Sequence, residues 1–134
     1  MRIFILLITT IVFISCTPQH DTIDFQQVLE DAQPRANQGK SLSEDTLLVQ
    51  ALEHYQNMEP RDTTKLHQAT ILAAYHYWWK GDKSKAYGLL ESIADTDKNA
   101  LNALFDLGNR DSNFETSYEC LKRIMKDGSG NNLW

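Results

Sequence analysis

LHQATILAAYHYWWKGDKSKAYGLLESIA, residues 66–94, is the stretch on which the fold turns. Apolar residues recur at helical spacing through Leu66, Ala69, Ala73 and Tyr77. A Gly81–Asp82 turn interrupts them, and a second amphipathic run carries Ala86, Leu89, Leu90 and Ile93. This pattern predicts a helical hairpin. Ala73, Ala74 and Ala86 let two helix backbones approach, Tyr77, Leu90 and Ile93 fill the space between them, and Lys83 falls on the solvent side. One hairpin cannot bury its outer faces alone, so neighbours built on the same plan are expected.

The spacing of Ala86, Leu90 and Ile93 occurs thirty-five residues earlier in Ala51, Tyr55 and Met58, and in weaker form thirty-four later in Cys120, Ile124 and Asp127. In this respect the chain resembles the tetratricopeptide family, in the divergent form common in secreted and lipid-anchored proteins of Bacteroidetes-like bacteria. With Gly81 at the family's interhelical turn, Tyr77 falls on its first-helix tyrosine, Ala86 on its second-helix small residue and Leu90 on the large residue one turn later. Thr70, Ala73 and Ala74 stand where the family has tryptophan, leucine and glycine. Ile93 replaces a usual alanine, and Lys98 lies near the closing proline. The resemblance covers about Ser43 to Lys126. It implies an all-α fold of antiparallel hairpins stacked as a short solenoid, and a non-catalytic scaffold that binds a protein or peptide. One good repeat between two poor ones also fits a fragment or truncated member of a larger regulatory or envelope protein.

Outward from this centre, residues 1–15 read as an export signal. Arg2 precedes an apolar run from Ile3 to Ile14, twelve residues long, which is short for a bilayer span and suited to a secretory core. Phe13, Ile14, Ser15 and Cys16 resemble a bacterial lipobox, which implies acyl chains such as palmitate on Cys16; an uncleaved N-terminal anchor and a soluble secreted product are the alternatives. Each methylene buried in lipid is worth ~0.8 kcal/mol, so several chains anchor a domain firmly. The expected address is the cell envelope, with the domain held at the outer membrane and facing the periplasm or the surface. Residues 16–22 form a polar tether, 23–126 the helical domain, and 127–134, rich in Gly, Ser and Asn, a fraying tail.

Within the domain, Asp21 or Thr22 is expected to cap a helix from Ile23 to about Gln33 that Pro34 stops. Ser41 or Ser43 then opens a helix with the stripe Leu48, Ala51, Leu52 and Tyr55, ended by Glu59 and Pro60. These two helices are expected to cover one end of the central hairpin. Asp97 or Asn99 starts a short helix through Leu101, Leu104, Phe105 and Leu107, with Gly108 as its terminator. Ser112 and Glu115 make a capping box for the last helix, on which Phe114, Tyr118, Leu121 and Met125 share a face. No stretch alternates long enough to predict a strand.

The net charge of the 134-residue chain is -5 with no basic stripe, which argues against a nucleic-acid partner. His67 and His76 point to opposite helix faces, His20 lies in the tether and His54 on another helix, so no pair has metal-ligand spacing. Asp95 with Asp97, and Asp106 with Glu115, fall at helix ends where capping explains them. No catalytic residue, metal or cofactor is expected, and an enzyme or polysaccharide-handling lipoprotein has a location here without a chemistry. Acylation of Cys16 leaves Cys120 without a disulfide partner, a half-buried structural thiol. The glycines at 108, 128 and 130 lack the lysine and strand of a phosphate loop.

The feature that stands out is Tyr75, His76, Tyr77, Trp78 and Trp79. Gln68, Ile71, Tyr75 and Trp78 fall three, four and three apart and share a stripe that looks like the groove lining of tetratricopeptide proteins. Trp79 must turn toward the Ser43 helix or to solvent. Tyr75 and Trp78 either pack against neighbouring repeats, or keep part of their surface open as an aromatic platform for a peptide or, with weaker support, a carbohydrate.

Overall fold

Aspartate opens four of the six helices seen in the computed structural model, which describes residues 22–126. The helices are α1 (Phe25–Asn37), α2 (Leu47–Asn57), α3 (Thr63–Trp79), α4 (Lys83–Ile93), α5 (Lys98–Arg110) and α6 (Phe114–Lys126). The side chains of Asp24, Asp62, Asp82 and Asp97 accept from the backbone N–H groups of Gln27, Lys65, Lys85 and Asn99. Each cap satisfies an orphan donor and places a carboxylate at the positive end of its helix. Cys16, the tether before Thr22 and the 127–134 tail lie outside the described residues.

The protein is all-α, and successive helices pack against one another as hairpins. Beyond these neighbours, the backbones of α1 and α3 approach each other, as do those of α3 and α5, whereas those of α2, α4 and α6 do not. The odd-numbered helices therefore sit closer together and form the inner side of the stack. They also end alike. Gly39 and Gly81 take positive φ after α1 and α3, and Ser112 does so after α5. In each case the next N–H reaches back five residues: Lys40 to the Arg35 carbonyl, Asp82 to that of Tyr77 and Asn113 to that of Gly108.

Two apolar cores meet on α3. Leu29, Leu42, Leu48, Leu52, Tyr55 and Leu72 form one; Leu90, Leu101, Leu104, Leu107 and Cys120 form the other, and Tyr75 and Leu89 pack against both. Ala51, Ala86 and Cys120, the small residues of the spacing pattern, are all buried, as are Ala73 and Ala74. No buried side-chain N or O atom among the described residues lacks a hydrogen-bond partner.

Several boundaries differ from expectation. Asp24, not Asp21 or Thr22, caps α1, because its carboxylate reaches the Gln27 N–H. Pro34 lies inside α1, near its end, where the missing N–H removes a single helical bond and Gln38 still donates to the Pro34 carbonyl. Ser43 does not open α2. Its N–H is taken by the Ser41 hydroxyl in a turn, and the helix starts at Leu47 after a Thr46 that makes no side-chain cap.

Gly108 is likewise no terminator. It is buried within α5, where a Cβ would stand 2.6 Å from Ser117 Oγ, so its lack of a side chain serves the approach of α6. Asn113 caps α6 through the Thr116 N–H in place of Ser112, which occupies the left-handed turn. Lys83 is not idle on the solvent side, for its Nζ lies 2.6 Å from Asp111 Oδ1. Tyr77 is half-buried and borders a hollow between α2 and α3 instead of facing fully inward.

Candidate functional site

A trough of about 740 Å³ runs along the inner side of the stack. Its walls come from the odd-numbered helices: Gln33, Ala36 and Asn37 of α1; Thr63, Thr64, His67, Gln68, Ile71 and Tyr75 of α3; and Asn99, Asn102, Ala103, Asp106 and Arg110 of α5, joined by Thr96 and Asp97. The spacing of three and four between Gln68, Ile71 and Tyr75 is the geometry of one helix face. The structure thus brings Gln68, Ile71 and Tyr75 together in the trough.

Trp78 is not among the lining residues. It lies a turn beyond Tyr75, where the α5–α6 turn passes, and its Nε1 donates to Asp111 Oδ2 at 3.0 Å. Asp111 also accepts from the Tyr87 hydroxyl and from Lys83 Nζ. Burial alone would raise the Asp111 carboxyl, but the hydrogen bonds from Lys83, Tyr87 and Trp78 and the Lys83 charge outweigh it and hold the group below its ordinary range. An acid at the end of a helix opposes the dipole, and these three donors compensate for it. Arg110 spans the faces of Trp78 and Trp79, its Cζ lying 5.8 and 6.0 Å from the ring centroids. Trp79 packs against the core shared by α1 and α2, the side of the Ser43 segment.

The floor of the trough is fixed by polar bonds between helices. Gln68 Nε2 donates to Gln33 Oε1 at 3.2 Å, tying α3 to α1. Tyr75 donates through its hydroxyl to Asp106 Oδ2 at 3.0 Å, tying α3 to α5, and Arg110 Nε holds the same carboxylate at 3.1 Å. Burial, followed by the Asp106 charge, pushes the Tyr75 phenol well above its ordinary range, so this hydroxyl stays a donor. His67 Nδ1 donates to Asp97 Oδ2 at 3.0 Å and closes one end.

The remaining chemistry-bearing residues have structural settings. His76 is buried and donates through Nδ1 to the Leu42 carbonyl at 2.8 Å, which fastens the α1–α2 connection to α3. His54 stacks on Phe25. Asp95 accepts from Arg123. Cys120 is buried, and burial pushes its thiol above the ordinary range, where it is a poor nucleophile. No group of three His, Cys, Asp or Glu side chains able to hold a metal occurs among the described residues. No helix among them is long and apolar enough to cross a membrane.

Reading α3 alone missed the two outer walls. Asn99, Asn102, Asp106 and Arg110 follow one another at three, four and four, a polar stripe on α5 as regular as the apolar stripe that buries it. Gln33 and Asn37 make the same signal on α1, bonded to each other at 3.0 Å. Comparison of the chain with protein-family models, with curated proteins and with solved structures found no match.

Proposed function

We propose that this protein is a non-catalytic, lipid-anchored helical-repeat module of the bacterial cell envelope that holds a protein or peptide segment in the trough between α1, α3 and α5. The observation that carries the reading is the chemistry of the walls. Side-chain amides from Gln33, Asn37, Gln68, Asn99 and Asn102 surround the apolar patch of Ile71, Ala103 and the Tyr75 ring. An amide offers donors and an acceptor together, which suits the alternating C=O and N–H groups of a peptide, while the apolar patch takes a side chain. Anchoring is proposed through Cys16, from the apolar run Ile3 to Ile14 and the small Ser15 directly before the cysteine.

A photo-crosslinker in place of Asn102, in the full-length protein in its own membranes, should trap a polypeptide. Asn99→Ala, which removes an exposed side chain, should lower trapping by about tenfold, as loss of an interface contact worth ~1.4 kcal/mol implies, without moving the melting midpoint. Fatty-acid labelling should mark the same protein and fail for Cys16→Ser. Trapping of no polypeptide would defeat the binding assignment, and an unlabelled wild type would defeat the anchor.

A further inference from the structure

Phe114, Tyr118, Leu121 and Met125 lie on α6, and they are 68, 61, 41 and 37% exposed. They share a face, as their spacing requires, but the face looks outward. It is Ser117 and Cys120 that pack inward on α5. The four residues follow one another at four, three and four, the seam spacing that lets one helix lie along another.

The charges beside the seam say what fits it. Glu115 and Glu119 occupy the first half of α6, and Lys122 and Lys126 the second. All four are exposed, and Lys122 lies 2.7 Å from Glu119 of the same helix, a solvent-exposed pair worth little by itself. Arg123 is engaged on the other side, with Glu91 at 3.0 Å and Asp95 at 2.9 Å of this same chain. A helix whose halves carry opposite charge is complementary to itself when reversed. Rotation about an axis between Tyr118 and Leu121 sets Phe114 against Met125 of a second copy, Tyr118 against Leu121, and Glu115 against Lys122. Parallel pairing would set like charges together, and a uniformly anionic lipid surface would match only half of the helix.

We infer that α6 is a self-pairing surface through which two copies of this chain associate antiparallel about a twofold axis. The seam is only three turns long, which places the contact among the smaller, weaker interfaces. None of its residues lines the trough, so the pair keeps two open troughs.

The test uses the full-length chain in mild detergent, followed by sedimentation velocity across a concentration series. The dimer fraction should rise with concentration. Glu115→Lys and Lys122→Glu should each raise the dimer dissociation constant by about tenfold or more, because each sets like charges across the axis twice. An equimolar mixture of the two variants should pair again, since each charge then meets its opposite, and a misfolded variant would not be restored in this way. A wild type that stays monomeric, or variants that fail to pair when mixed, would overturn the proposal. So would flotation of a monomeric protein on phosphatidylglycerol vesicles that depends on Tyr118, because lipid would then cover the face.

Discussion

Asp111 shows how much one surface-named residue can organise. Its carboxylate collects the indole N–H of Trp78, the hydroxyl of Tyr87 and the ammonium of Lys83, and so joins α3 and α4 to the turn after α5. Asp111→Ala should strand two half-buried donors and cost roughly 1 to 3 kcal/mol at neutral pH. The pH dependence has a definite sign. The folded carboxyl is held below its ordinary value, so the unfolded chain binds the proton more readily. The contribution is therefore present above pH ~4 and declines as pH falls through the folded value. Urea melts of wild type and variant should differ at pH 7 and converge in acid; a constant difference would mean that the charge is irrelevant. The sequence presents Asp111 only as an acid in a polar turn. Three partners more than twenty residues away in the chain give it its role, and no local pattern announces them.

At the scale of the element, the central hairpin was legible because every local signal agreed: a stripe, a glycine with positive φ and an aspartate cap. Boundaries failed where one residue type serves two purposes. Proline can end a helix or sit harmlessly in its last turns, as Pro34 does. Glycine can stop a helix or admit a neighbour, as Gly108 does, while the stop after α5 is made by Ser112. The seam of α6 was readable as a face, but periodicity does not say whether a face is covered.

Gly108 offers a direct check. Ala in its place gains ~1 kcal/mol of helix propensity and incurs overpacking of roughly 1 to 3 kcal/mol against Ser117. Gly108→Ala should therefore lower the melting midpoint, and Ser117→Ala in the same chain should recover part of the loss. Additive effects of the two changes would show that the helices are not in contact there.

For the whole molecule, the question is whether two cores make one cooperative unit. α3 supplies Leu72 and Ala73 to the first and Ala74 to the second, and Tyr75 and Leu89 pack against both. Leu72→Ala and Leu104→Ala, one in each core, should each cost about 2 to 5 kcal/mol. Each should also shift the far-UV circular dichroism and tryptophan fluorescence transitions together. Separate transitions in either variant would mean that the halves unfold independently. The trough was half legible: its middle wall carried the aromatic cluster that draws notice, whereas the outer walls were ordinary polar stripes until the hairpins set them side by side.

Each helix backbone packs only against the next one or the next but one, and α6 lies along α5 with Arg123 reaching back to Glu91 of α4. Such a layout has kinetic meaning. Few contacts wait for distant parts of the chain to find each other, so little loop-closure entropy stands before the first native interactions, as in the helical proteins that fold in microseconds to milliseconds. A chain delivered from its N-terminus can assemble the first core from α1, α2 and α3 before α5 and α6 arrive to close the second.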